Sequence, residues 1–286
     1  MLESTGASTG NWIEISGNIA QQGGAVHINS LQPQPIGSFS GVRFVRNRAQ
    51  TGGAFSSNSP IQLSHAEFVD NSADAGDGGA IRLTSSTLQV VPSVFEQVSF
   101  RNNLASGGGG AVFSGCGGFN AVNVSFGGNG AAAARGQAIE NSGPALLRHA
   151  TVHGNFPATS ASAIEPPGIQ QLVDTSCSNQ MHIANSLVTD YCGFNITRFV
   201  SDGGNQFGPK AYICRTITSD ARQTSTAVFG LTSSSFGGPL EFWGWNANQI
   251  VPQRNFGIPG NCVATDIRGV ARSDGACDAG AFEQQP

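Results

Sequence analysis

Apolar and polar positions along this chain do not recur at the 3.6-residue spacing of a helix. Short runs such as Val42-Arg43-Phe44 and Ala80-Ile81-Arg82-Leu83 alternate instead, as strands do when one face is buried. Two fixed elements punctuate the runs. The first is an apolar residue three places ahead of an asparagine. It occurs in ISGN (15–18), FVRN (44–47), FVDN (68–71), FRNN (100–103), FGGN (126–129) and VHGN (152–155). These segments pair Ile15, Phe44, Phe68, Phe100, Phe126 and Val152 with Asn18, Asn47, Asn71, Asn103, Asn129 and Asn155. Five to seven residues after each asparagine comes the second element: GGAV, GGAF, GGAI, GGAV, then the weaker GQAI and SAI.

The asparagines are separated by 29, 24, 32, 26 and 26 residues. A period in the twenties without helical patterning predicts an all-β solenoid, with about three short strands per coil. Equivalent side chains then stack at about 4.8 Å, so phenylalanines pile inside and asparagine amides hydrogen-bond in a ladder. Asparagine and glycine are expected at corners whose backbone has positive φ. The insertions at 31–37 and 84–92 are expected to project as loops. The chain divides into repeat-bearing coils over 1–165 and degenerate coils with a closing segment over 166–286, all one domain.

Composition narrows the class. The 286 residues include 39 glycines, 13 arginines and one lysine, Lys210, with 39% hydrophobic residues and a net charge of −4. That excludes a helical bundle and gives no basic footprint for nucleic acid. No apolar stretch reaches the roughly 20 residues of a membrane-spanning helix. The opening MLESTGASTG has no signal-peptide pattern, so an exported chain is expected to be a mature segment. Six cysteines without a C-x-x-C pair point to disulfides in an oxidising compartment rather than zinc. Spacing favours Cys262 with Cys277 and Cys192 with Cys214, leaving Cys116 with Cys177 by elimination. No cofactor is called for.

The pairing of F-x-x-N with G-G-A-[IVF] resembles the repeat of chlamydial polymorphic outer-membrane proteins over roughly residues 11–165. That resemblance implies a right-handed parallel β-helix on a cell surface, often associated with adhesion. The ending TDIRGVARSDGACDAGAFE (265–283) resembles the terminal signature of the choice-of-anchor Q family of bacterial surface proteins. Asp266, Arg268, Gly269, Arg272, Gly275, Cys277, Asp278, Gly280, Ala281 and Glu283 carry it. Read physically, its arginines and carboxylates form bidentate pairs that close the last coil and cover its strand edges.

Candidate chemistry is sparse. Glu67, Asp70, Asp74 and Asp77, and further on Asp190, Asp202, Lys210 and Asp220, are read as solvated loop charges rather than a catalytic pair. His27, His65, His149, His153 and His182 are read as surface or turn residues; His149 and His153 lack the glutamate of H-E-x-x-H. The G-x-S-x-G at 6–10 lacks the strand and helix of a nucleophile elbow. Trp243 and Trp245 fall on one side of a strand, where exposed rings would stack on sugars and buried ones would cover the solenoid's apolar end. Sequons at Asn123 and Asn195 matter only in a eukaryotic secretory host. The expected function is that of an exported, noncatalytic cell-surface, adhesive or matrix component. Its partners would be a surface glycan or protein, or a second copy meeting the open first coil. The alternative is a polysaccharide lyase or glycosidase on the same scaffold.

Overall fold

The computed structural model describes residues 12–30, 37–85, 91–133, 135–155, 167–172, 177, 180–193, 198–211, 214, 216–225, 229–234, 240–245, 251–272 and 276–284. The two insertions fall largely outside the described residues, as do 6–10, Asn195 and Gly275. The chain forms a parallel β-helix of three stacked sheets.

The first sheet stacks Ile13–Ser16, Gly37–Val45, Ile61–Val69, Ser93–Arg101, Phe119–Gly127 and Ala145–His153. It continues through Met181–Ala184 with Leu187–Val188, then Phe199–Gly203 with Gln206–Phe207. The second sheet holds Ile19–Gln22 to Gly130–Ala131, and the third Val26–Ile28 to Ile169–Gln171. Because the pairings within these three sheets are parallel, and in register through Ala145–His153, equal positions of successive repeats meet. Phe44, Phe68, Phe100 and Phe126 stack with centroids 4.7, 5.1 and 4.8 Å apart, all fully buried.

The asparagine ladder is equally regular. Asn103 Nδ2 donates to Asn129 Oδ1 (2.9 Å) and to the Phe68 carbonyl (3.0 Å), while Asn103 Oδ1 accepts from both Asn71 N (3.0 Å) and Asn71 Nδ2 (2.9 Å). The pattern runs from Asn18 through Asn47, Asn71, Asn103, Asn129 and Asn155. It ends on Asp190, whose carboxylate accepts from Gly154 N, Asn155 N and Asn155 Nδ2. A terminal rung needs acceptors and no donor, which a carboxylate supplies.

The expectation that these asparagines sit at positive φ is corrected. The left-handed residue is the one before: Gly17, Arg46, Asp70, Asn102, Gly128 and Gly154. That turn sends the asparagine inward, where satisfied amides replace solvent. The first glycine of each GGA does take positive φ (Gly23, Gly52, Gly78 and Gly109). The second is required by close approach: a Cβ on Gly53 would stand 2.6 Å from Ser72 N, and one on Gly110 2.6 Å from Gly130 C.

Candidate functional site

The long strands of the first sheet bend at their middle, at a second column of left-handed residues: Gly41, His65, Gln97, Asn123, His149 and Asn185. Two places further on lies another column, Arg43, Glu67, Ser99, Ser125 and Thr151. From Gln97 and Ser99 onward both columns hold down a strap whose described residues are 240–245, 251–272 and 276–284. Gln97 Nε2 donates to Asp266 O (2.9 Å) and Asn123 Nδ2 to Thr265 O (2.8 Å). His149 Nδ1 lies 3.1 Å from Asp278 O and 3.3 Å from Gly280 O, so that nitrogen carries the proton. Asn185 both donates to Ile258 O (3.1 Å) and accepts from Ile258 N (2.7 Å). In the hydroxyl column Ser99 donates to Glu241 O (2.5 Å), Ser125 accepts from Trp243 N (3.1 Å) and Thr151 from Ala281 N (3.0 Å).

The charges of the C-terminal signature brace this strap. Asp266 accepts from Arg268 Nε (2.7 Å), and Arg268 also donates to Glu283 O (2.6 Å) and lies over the Phe282 ring. Arg272 pairs with Glu283, their side chains only 2% and 1% exposed. Asp278 accepts from Asn255 N and Gln284 N, both at 2.7 Å. The signature thus forms the paired network its composition implied, but on the flank of the solenoid and not across the last coil. The side-chain columns of the first sheet, which offer hydrogen bonds along the axis, draw it there. Disulfides join Cys262 with Cys277 inside the strap, Cys192 with Cys214, and Cys116 with Cys177.

The two tryptophans lie in the strap strand Phe242–Trp245, antiparallel to Leu231–Ser234. Trp245 is fully buried against Phe282, with Leu240, Phe242 and Ile267 around it. Trp243 is half-buried, edge-on to His153 at 4.6 Å and over Gly127, where a Cβ would strike its indole. They cover the flank rather than an end, and Trp245 offers no face to a ligand.

Several charges read as solvated are buried. Glu67 is 1% exposed and is held by Arg43 (2.7 Å) and Arg101 (2.9 Å), with Arg101 also reaching Glu241 (3.0 Å). Asp190 terminates the ladder; burial pushes its pKa up, opposed by hydrogen bonds from Asn155. His149 is buried too, and desolvation, with Arg272 nearby, lowers its pKa to about 3. Its ring abuts Cys262 and Cys277, whose disulfide leaves no thiolate for a metal.

Two further places gather polar groups that sequence reasoning did not combine. On the third sheet, Asp77 and Glu140 meet around Gly108: Asp77 Oδ1 accepts from Gly108 N (2.8 Å), and Glu140 occupies the space of a Gly108 side chain. Arg135 spans them, 3.3 Å from Asp77 and 3.5 Å from Glu140. Glu140 is 1% exposed with neither oxygen hydrogen-bonded, and burial pushes its pKa up to about 7 despite Arg135. On the first sheet, an open groove of about 410 Å³ lies between Asn120, Leu146, Arg148, Gln180, His182 and Asp202. His182 Nδ1 is 3.1 Å from both Asp202 oxygens. The signal in the sequence was faint: Asn120, Leu146 and His182 share one register column, but only the repeat alignment reveals it.

A sequence model of the Chlamydia polymorphic membrane protein repeat matches residues 97–115. That stretch contains Phe100, Asn103 and the GGAV at 109–112, one full unit of the stacked motif. The chain is therefore similar to that repeat over one coil. No curated protein and no solved structure matches the chain. No helix among the described residues is long and apolar enough to cross a membrane.

Proposed function

We propose that this protein is an exported, noncatalytic β-helix that acts at a cell surface or in an extracellular matrix as an adhesive or assembly component. The observation that carries the reading is the match to the polymorphic membrane protein repeat, falling on one coil of a continuous ladder. Three disulfides suit an oxidising exterior. The resemblance of 265–283 to the choice-of-anchor Q signature supports a bacterial surface setting. In this reading 1–165 and 166–286 act as one unit, since the strap of the second stretch hydrogen-bonds the coils of the first. Self-association is a subsidiary route: Ile13–Ser16, Ile19–Gln22 and Val26–Ile28 are edge strands, and Ile19 is 79% exposed. The test is saturable binding of the purified protein to arrayed glycans, matrix proteins and cultured cells, with sedimentation across concentration. No binding to any surface and a strict monomer would overturn it.

A carbohydrate-active enzyme is the second reading, favoured by the Asp77–Glu140 pair, one of whose members holds its proton near neutrality. Against it, Glu140 is closed off from any polysaccharide by the groups around it. Polysaccharide turnover abolished by Glu140→Gln would establish the enzyme; its absence leaves the surface role.

A further inference from the structure

Arg148 stands apart from the chain's other described arginines in the first sheet. Arg43 and Arg101 both hold carboxylates, whereas Arg148 makes no ion pair or hydrogen bond among the described residues, and its buried Nε has no partner. Its neighbours in the register are Val122 and Ala184, neither able to answer a guanidinium. It faces the groove of about 410 Å³, whose remaining polar lining is Asn120, Gln180 and the His182–Asp202 pair, with Leu146 as an apolar patch.

We propose that this groove binds an acidic saccharide, with Arg148 holding the carboxylate of a uronic acid residue. A planar guanidinium with its fork unoccupied is suited to a carboxylate, which it takes bidentately. The amides of Asn120 and Gln180 and the imidazole of His182 offer the planar donors and acceptors that sugar hydroxyls use, and Leu146 meets a C–H face. An extended peptide is disfavoured. The strands beneath the groove, Phe119–Gly127, Ala145–His153 and Met181–Ala184, are paired on both sides, so no backbone edge is open for strand addition. His182 Nδ1 lies 3.1 Å from both Asp202 oxygens, so these two side chains engage each other at one side of the groove while the Arg148 fork stays open.

This inference rests on the reading of the protein as a glycan-contacting surface module and names the class of glycan. The test is calorimetric titration of the full chain with trigalacturonate and triglucuronate, with their carboxyl-reduced neutral counterparts, and with an Asp/Glu-rich peptide. Binding of a uronate, at least tenfold weaker for the neutral analogue and for Arg148→Gln, is expected. Gln180→Ala changes an exposed side chain and is expected to weaken binding severalfold without affecting the thermal transition, so a folding defect in Arg148→Gln does not obscure the result. Uronate affinity unchanged from the parent chain in both Arg148→Gln and Gln180→Ala would overturn the groove while leaving glycan binding standing. Tighter binding of the acidic peptide would overturn the saccharide class, and failure of every saccharide here to bind would overturn the groove proposal alone, the surface role standing or falling on its own test with matrix proteins, cells and sedimentation.

Discussion

The asparagine ladder makes a graded prediction, because one substitution removes different numbers of hydrogen bonds at different rungs. Asn103→Ala removes four: two accepted from Asn71, one donated to Asn129 and one to Phe68 O. The Asn129 oxygen keeps its bond from Asn103 N (3.0 Å), and the second Asn71 N–H keeps Phe44 O (2.9 Å). Two donors, the Asn71 backbone N–H and one amide hydrogen, are left without partners in a fully buried site. At about 1–3 kcal/mol for each abandoned group, the cost is about 2–6 kcal/mol. Asn18 is exposed and, among the described residues, only donates along the ladder. Solvent there replaces what Asn18→Ala removes, so that variant should lose less than about 1 kcal/mol. Guanidinium unfolding of both variants gives the difference, and hydrogen exchange gives a local readout: the Asn71 amide should lose protection in Asn103→Ala more than its neighbours do. Equal stability of the two variants, or unchanged protection at Asn71, would refute the assignment of stability to the ladder.

Buried charge and close packing set three further outcomes. Glu140 has its pKa raised from 4.5 to about 7, so the native state holds a proton that the unfolded chain has released. Its share of stability should therefore fall as pH rises from about 4.5 to 7, by roughly 3 kcal/mol, and Glu140→Gln should flatten the slope by that share when unfolding is compared at pH 5 and pH 8, while Glu283, whose burial also raises its pKa to about 7, keeps its own. Arg272→Met leaves Glu283 buried without its cation and is expected to cost about 3–5 kcal/mol, most of it recovered in Arg272→Met with Glu283→Leu; thermal melts of the three forms test this, and an unrecovered double variant would count against it. Gly280→Ala places a Cβ at φ +110, 2.9 Å from Thr151 Oγ1 and 3.3 Å from Leu187 Cβ. It should lift the strap and raise limited proteolysis within residues 251–272 while the ladder amides stay protected.

What could be read from the sequence was whatever the repeat itself encodes. Phe44, Phe68, Phe100 and Phe126 stack because identical residues at equal positions of parallel coils must meet. The asparagines were recognisable for the same reason, although their corner role was misassigned to φ; the turn belongs to the residue before each of them. The strap was not legible. Its anchoring bonds along the two columns join residues 73 to 169 positions apart, and no local pattern states where a segment of that remoteness will lie. His149 illustrates the cost. Its sequence neighbourhood suggests a surface turn, and only the arrival of Asp278 and Gly280 buries it. Trp245 was ambiguous in the same way, since whether an F-W-G-W strand faces water depends on Phe282 covering it.

The two outer columns explain why the strap begins where it does and what it leaves open. Upstream the columns hold Gly41 and His65 beside Arg43 and Glu67, residues that offer no amide or hydroxyl at those rungs. From Gln97 and Ser99 the amide and hydroxyl residues begin, and the strap follows them as far as Asn185. The groove around Arg148 lies on the same sheet, immediately beside the amide column, so the strap forms a border without filling it. The connection is physical: Asn261 of the strap donates to the Asp202 backbone (3.2 Å), and His149, next to Arg148, is fastened to Asp278 and Gly280. Groove geometry should therefore depend on the Cys262–Cys277 link that closes the strap's 15-residue loop. A rigid stack supplies the strands, but the returning segment decides which stretch of their outer face remains available to a partner.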